Sequence, residues 1–424
     1  MKTFSISKII YVVFAFFVLT FFGWYLFEKN IGTVNTPGIV PIDTTSDTAT
    51  GADKVPSLPG FKLSKGLSGF SLSIFAKDVP GARVIELDPK GRILVSQTGE
   101  GKIVALSDTD NDNVSDQVKI LASGLQKPHG MAFQCDAGDK CFLYVAEQGI
   151  LSRFFYDADG PQSPSLGKKE KLMSINYSSS DSHFTRALLF LPSPDQDTLL
   201  ISVGSSCNVC HEKDTEHATI LSYNIKTGKK EIYAKGLRNA PFMALNPVSG
   251  KVYVTEMGRD NLGDDLPPDE INIIEQKNNE PQNYGWPICY GKNIHDDNFD
   301  KNTYIRNPCM APFETPSFID LQAHSAPLGL AFIPEEGWPE EYWYNLLVAY
   351  HGSWNRSIPT GYKIVRLKMN ANGGYQGTED FITGFLTPDG KKLGRPVDLK
   401  VLSGGVAYIS DDSSGVIYRL SRNK

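Results

Sequence analysis

Short apolar runs punctuated by glycine recur along most of the chain. Two segments align position by position, IELDPKGRILVSQTGEGKIVAL and DLKVLSGGVAYISDDSSGVIYRL. Gly101, Ile103 and Leu106 follow Ser96 at +5, +7 and +10, and Gly415, Ile417 and Leu420 follow Ser410 at the same offsets. Alternating apolar residues between glycine turns are the signature of strands joined by hairpins. Looser copies are CFLYVAEQG, TLLISVGSS, KVYVTEMG and NLLVAYHG. With Val95, Val145, Val203, Val254, Val348 and Ile409 as anchors, the intervals are 50, 58, 51, 94 and 61. The long interval holds an insertion over roughly residues 277–324. Six units over residues 60–424 average about 61 residues, the size of a four-stranded blade. The pattern predicts an all-β, six-bladed β-propeller, with the early strand FSLSIFA completing the last blade. Tandem β-sandwiches are the competing fold, but they do not account for the matched offsets.

The first residues follow another pattern. Ile9 to Phe27 is an apolar run of 19 residues, about 29 Å long as a helix. That length matches a hydrocarbon core of about 30 Å. Lys2 and Lys8 precede it, which puts the N-terminus in the cytoplasm, and Trp24 and Tyr25 sit where an aromatic belt would lie. No Ala-x-Ala pattern follows, so an uncleaved single-pass transmembrane helix is favoured over a signal peptide. Residues 30–59 are rich in Thr, Asp, Gly and Pro and read as a linker. The predicted organisation is an anchor over 1–29, a linker over 30–59 and a propeller over 60–424, on the extracytoplasmic side of the membrane.

Composition narrows the function classes. With 42 Lys+Arg against 48 Asp+Glu the net charge is −6, which argues against a nucleic-acid partner. Hydrophobic residues at 41% exclude wholesale disorder. All six cysteines lie in the globular part, an even number that suits an oxidising compartment. The expected pairs are Cys135–Cys141, Cys207–Cys210 and Cys289–Cys309. Cys207, Cys210 and His211 also form C-x-x-C-H, the c-type haem attachment pattern, against which stands a disulfide-closed loop.

A propeller gathers loop residues of every blade around one axis, so polar residues flanking the repeated strands are site candidates. His183, in DSHFTRALLF, is a candidate general base. Arg238 and Asn239 hold the same place in the next repeat, and an arginine fork suits a carboxylate or a quinone oxygen. The block TEMGRDNLGDDLPPDEINII combines carboxylates with outward carbonyls, the ligands calcium prefers. Asp108, Asp110, Asp112 and Asp116 resemble the start of a calcium loop. Asn113 and Lys119, however, stand where an EF-hand has its Gly and Glu. His129, His351, Arg356 and Arg395 add cationic or hydrogen-bonding groups at equivalent edges, which outlines a pocket for an anionic ligand.

LRNAPFMALNP, the EMGRDNLGDDLPPDEINII…NYGWP block, HSAPLGLAF, HGSWNRS…GYKIVRL and GRPVDL together resemble the pyrroloquinoline-quinone (PQQ)-dependent sugar dehydrogenases. The likeness is to the sorbosone-dehydrogenase-like branch, similar to soluble aldose dehydrogenases of the glucose dehydrogenase type. The resemblance implies PQQ over the axis of a six-bladed propeller, with His183 as the base that takes the substrate hydroxyl proton. It implies Arg238 at the reacting quinone oxygen, and Asn239 and Arg395 on the cofactor. Carbonyls of Gly258 and Arg259 would bind one calcium, and Glu270 and Tyr284 match positions at a second. The family's cofactor lysine has no counterpart, and Arg356 or His351 takes its place.

The expected function is therefore PQQ- and calcium-dependent oxidation of an aldose or a related aldehyde or polyol, with electrons passed to a membrane quinone or a cytochrome. Two alternatives belong to other classes. One is a calcium-dependent lactonase or esterase on a propeller, and the other is a non-catalytic extracytoplasmic binding propeller.

Overall fold

The computed structural model describes residues 58–423 apart from 137, 161 and 162. The predicted apolar anchor and most of the linker lie outside the described residues. No helix among the described residues is long and apolar enough to cross a membrane.

Six antiparallel blades form the fold. Blade one comprises Ala82–Leu87, Ile93–Gln97, Lys102–Ser107 and Gln117–Ala122. Blade two is built on Met131–Cys135, Cys141–Ala146 and Ile150–Asp157, with Ser165–Leu166 and Glu170–Ser174 sharing its outer edge. Blade three runs Leu188–Phe190, Thr198–Val203, Thr219–Asn224 and Lys230–Lys235. Blade four runs Met243–Leu245, Val252–Glu256, Asp269–Ile274 and Ile319–Leu321. Blade five runs Pro327–Phe332, Leu346–Tyr350, Lys363–Met369 and Tyr375–Thr383. Blade six runs Pro396–Leu402, Val406–Asp411 and Val416–Arg422, and its outer strand is Phe70–Ala76 from the start of the domain. The sandwich alternative is thereby excluded.

Every anchor of the sequence repeat falls in the second strand of its blade. These strands are covered by neighbouring blades on both faces, so all five residues of Ile93–Gln97 and of Leu346–Tyr350 are buried. That is why they read as continuous apolar runs. The outer strand Gln117–Ala122 faces solvent and is mostly polar or half-exposed. Leu72 and Phe75, at 2% and 4% exposure, carry the closing strand into the core. Each such side chain contributes about 1.5–3 kcal/mol on burial.

The stretch over 277–324 is more than an insertion. Glu280–Asn283 adds a parallel strand to blade three, and Cys289–Cys309 closes the loop that follows. Ile319–Leu321 then returns as the outer strand of blade four. Three residues are too few to show a period, so the sequence pattern hid this strand. Cys135–Cys141 and Cys207–Cys210 are also disulfides, so the C-x-x-C-H segment is a closed loop.

Candidate active site

Strand pairing brings the candidate residues to one end of the ring. The inner strand of each blade starts beside the end of the second strand: Ala82 pairs with Gln97, Pro327 with Tyr350 and Pro396 with Asp411. Residues just before an inner strand and just after a second strand therefore share one rim. His129, His183, Arg238, Asn239 and Arg395 belong to the first set. Gly258, Arg259, His351 and Arg356 belong to the second.

His183 and Arg238 form the first cluster. His183 Nδ1 lies 3.0 Å from both the carbonyl and the hydroxyl oxygen of Ser205. Burial, then Arg238, holds its pKa down to about 3. Arg238 is buried, and its backbone carbonyl accepts from Ser205 N–H at 2.7 Å. Its guanidinium donates to the Asn208 carbonyl at 2.9 Å, Asn208 Oδ1 at 2.8 Å, the Gly258 carbonyl at 2.9 Å and Asp260 Oδ2 at 3.0 Å. Asn239 Oδ1 accepts from the Thr185 hydroxyl at 2.6 Å. Asp260 also accepts from Asn355 Nδ2 at 2.7 Å, which ties blade four to blade five.

A second cluster spans blades five, six and one. Arg395 donates to the carbonyls of His351 and Gly352 at 3.0 and 2.6 Å. His351 Nε2 lies 2.9 Å from Asp412, which also pairs with Arg83 at 2.8 Å. Burial, then Arg395, outweighs Asp412 and takes the His351 pKa down to about 4, so this bond is donated by a neutral ring. Several buried polar atoms here and beside it have no hydrogen-bond partner: Arg83 Nε, Arg186 Nε and Nη2, and Ser325 Oγ. Buried donors left open in this way fit a site completed by a bound polar or anionic molecule.

Beside the first cluster lies a carboxylate pair. Glu256 and Glu270 sit opposite each other on paired strands, and each accepts from the same Asn272 amide at 2.9 Å. Burial, reinforced by Glu270, pushes Glu256 well above the usual range, and burial pushes Glu270 up to about 7. A cavity of about 20 Å³ touches both, together with Tyr284 and Arg259. That is room for one water or one ion.

Other expected residues are placed differently. His129 is fully buried on the axis against Phe242, with neither ring nitrogen in a hydrogen bond. Arg356 is bound to the Asp264 carbonyl at 2.5 Å and to Asp265, away from the Arg395 cluster. The Tyr284 phenol donates to the Ile273 carbonyl at 2.7 Å, so only its backbone carbonyl is left to meet a metal. Arg259 is paired with Asp296. Asp108, Asp110 and Asp116 converge within 4.8 Å on the rim of blade one, whereas Asp112 caps Val114 N–H. A cavity of about 770 Å³ runs along the axis and is lined by the ends of inner strands, including Glu86, Pro247, Glu335 and Ser403. It opens at the far end of the ring, away from His183.

Sequence reasoning missed Asn208, Asp260, Asn355, Arg83 and Asp412. Asp260 and Asn355 lay inside motifs already singled out, GRDNLGDD and HGSWNRS.

A family model described as TrAA12-like matches residues 65–423. The chain belongs to this family. An uncharacterized protein of Borreliella burgdorferi is 32% identical over 364 residues, 84% of this chain and 90% of the relative. A pyrroloquinoline quinone-dependent pyranose dehydrogenase of Coprinopsis cinerea is 23% identical over 421 residues, 86% of this chain; the match spans only 54% of that enzyme. Two solved structures share the fold. An AA12 carbohydrate-active enzyme of Trichoderma reesei superposes with a TM-score of 0.71 at 21% identity, covering 88% of this chain and 100% of that one. The PQQ domain of the Coprinopsis cinerea pyranose dehydrogenase, in its holo form, gives 0.68 at 20% identity, covering 87% and 98%.

Proposed function

We propose that this TrAA12-like protein is a quinoprotein dehydrogenase that oxidises a sugar hydroxyl with PQQ as cofactor. The observation that carries the reading is the state of His183. The Ser205 carbonyl can only accept, and the Ser205 hydroxyl donates to the Cys207 carbonyl at 2.6 Å. Both oxygens facing Nδ1 are therefore acceptors, Nδ1 holds the ring proton, and Nε2 presents a lone pair. A ring kept neutral by burial and by Arg238 is a base ready for a hydroxyl proton.

Arg238, Asn239 and Arg395 are the residues we assign to hold the cofactor, with Arg83 and Ser325 contributing open donors. PQQ, when bound, supplies the two-electron acceptor for the hydrogen on the carbinol carbon. His183 takes the O–H proton at Nε2, and Arg238 presents positive charge fixed in advance by Asn208 and Asp260. The carbonyls of Gly258 and Arg259 are donors for a calcium at the quinone, and Gly258 would share its oxygen with Arg238. Glu270 and the Tyr284 carbonyl, with Glu256, fit a second ion in the small cavity between them.

The substrate class is an aldose or a related aldehyde or polyol, since the donors at this end are polar and open. Residues 9–27 would anchor the domain on the extracytoplasmic face, which the three disulfides favour. A membrane quinone or a cytochrome would then accept the electrons.

The test is titration of full-length protein with PQQ in the presence and absence of calcium, followed by dye reduction over a panel of sugars. Saturable PQQ binding and sugar-dependent dye reduction are expected. Ester or lactone hydrolysis with no PQQ binding would move the protein to the hydrolase class, and neither activity nor binding would leave a binding propeller.

A further inference from the structure

The loop closed by Cys207–Cys210 touches Arg238 directly and reaches His183 through Ser205. Asn208 lies inside it. The Asn208 carbonyl accepts from Arg238 Nε at 2.9 Å and from Trp286 Nε1 at 3.4 Å. Its Oδ1 accepts from Arg238 Nη2 and from the Asp260 backbone N–H, both at 2.8 Å. Its Nδ2 donates to the Asp260 carbonyl at 3.3 Å. One residue thus accepts from both N–H groups along one edge of the guanidinium and also fixes the loop that supplies its carboxylate partner. On the other side of the ring, the Cys207 carbonyl holds the Ser205 hydroxyl, and Ser205 holds His183.

We infer that Asn208 is a positioning residue for the reaction, and that the Cys207–Cys210 disulfide locks it in place. The inference rests on the roles given above to Arg238 and His183. The physical reason is geometric. A backbone carbonyl and a side-chain oxygen of the same residue meet one guanidinium only in a narrow set of backbone conformations. A loop between two cysteines, once closed, loses most of the others. Asparagine also suits the place chemically. It brings an acceptor to Arg238 without a second negative charge beside Asp260, and it retains a donor for the Asp260 carbonyl. The C-x-x-C segment is therefore part of the site's framework, with its effect exerted through Arg238 and Ser205.

Three variants of the full-length protein test this: Asn208→Ala, Asn208→Asp, and the paired change Cys207→Ser with Cys210→Ser. The first readout needs no cofactor. In nitrogen-15 spectra of cofactor-free protein, the Arg238 Nε–H should exchange slowly in the wild type and at least about tenfold faster in Asn208→Ala and in the paired cysteine variant. The second readout is PQQ affinity with kcat and KM. Asn208→Ala should lower kcat by about 10²-fold at saturating PQQ, the scale of a misplaced catalytic group. Sugar KM should change by less than about threefold. Asn208→Asp keeps the oxygen facing Arg238 but adds charge beside Asp260 and loses the donor to its carbonyl, so it should recover only part of that loss. The paired cysteine variant should fall between them.

Unchanged Arg238 exchange and a kcat within about threefold of wild type in Asn208→Ala would overturn the inference. So would failure of Asn208→Asp to recover any activity while its fold is intact. If Asn208→Ala does not fold, the paired cysteine variant, which alters no atom touching Arg238, decides by the same two readouts. If wild-type protein binds no PQQ, the functional reading falls, and the exchange comparison alone still settles whether the loop fixes Arg238.

Discussion

A Cβ atom on Gly204 would stand 2.6 Å from the Cβ of His183 and 3.0 Å from Asn239 Oδ1. Gly204 follows the second strand of blade three, and His183 precedes its inner strand, so the rim admits the imidazole only because that position lacks a side chain. Gly204→Ala should therefore displace His183 and cost about 1–3 kcal/mol from overpacking. Turnover should drop roughly 10²-fold. His183→Ala should lose about 10²–10⁴ in turnover and still bind PQQ. Chemical denaturation, single-turnover reduction and PQQ titration check both. Near-normal turnover in His183→Ala would remove the histidine from its assigned role.

The pH dependence follows from the same residue. A free histidine titrates near 6.5, whereas burial and Arg238 take His183 down to about 3. The base is thus unprotonated throughout the neutral and mildly acidic range. The profile of kcat/KM should show no acid limb at 6.5 and should stay level to about pH 4. Stability carries the matching sign. Between 6.5 and 3 the unfolded chain binds a proton at this histidine that the native protein does not, so the contribution falls as pH is lowered. His351, at about 4, acts in the same direction. Asp398, raised to about 7 by burial, acts in the opposite direction, because the native protein holds its proton first. Asp269 and Glu270, also raised to about 7 by burial, add to Asp398, so stability should not decline from pH 6.5 to 4. An acid limb in kcat/KM near 6.5 would show a solvated base instead.

Much of the ring was legible because its repeats reflect one local device. The inner strands of blades one and six each carry a register shift, between Ala82 and Ile85 and between Pro396 and Leu399. The shift leaves an N–H without a strand partner. Ser96 Oγ accepts from Val84 N–H at 3.1 Å, and Ser410 Oγ accepts from Asp398 N–H at 3.0 Å. The serines that aligned the two sequence segments are the caps of two equivalent bulges. The three-residue strand Ile319–Leu321 was not legible, because a period needs more positions than it has. The site was half legible. His183, Arg238 and Arg395 stand beside recognisable strands. Asn208 is joined to Arg238 across 30 residues, between consecutive blades, and Arg83 to Asp412 across 329, a contact that ring closure creates. His129 looked like its neighbours in sequence, yet its ring is buried on the axis and not at the rim.

The carboxylate pair offers a test of the second ion. Glu270 is raised to about 7 by burial, so at pH 8 its ionised form sits in a buried place beside Glu256, which burial also pushes up. Without a cation, Glu270→Gln should stabilise the protein at pH 8, because it removes a buried, uncompensated charge. The same change should abolish any calcium-dependent rise in Tm. A wild-type Tm indifferent to calcium and to chelator would remove the ion from this cavity.

Ring closure sets a boundary for truncation. Phe70–Ala76 pairs with Val416–Arg422 from Phe70–Arg422 through to Ala76–Ile417, so the two ends of the domain meet in one sheet. Lys62 and Leu63 add only a two-residue edge to blade five, although Phe61 packs edge-on against Phe385 at 4.9 Å. Removal of residues 1–57 should leave a cooperative unfolding transition with unchanged midpoint, since every described contact is retained. Removal of residues 1–76 takes Leu72 and Phe75 out of the core and exposes the edge of Val416–Arg422. Two such side chains alone amount to about 3–6 kcal/mol, a large part of the 5–15 kcal/mol typical of a whole protein. An open six-bladed ring also presents an unpaired edge strand, which invites aggregation. The longer truncation should accordingly yield aggregated or non-cooperatively unfolding protein. Recovery of folding and PQQ binding when a peptide covering residues 58–76 is added back would confirm that strand closure is the cause. A soluble, cooperative 77–424 fragment would show that the ring stands without its closing strand.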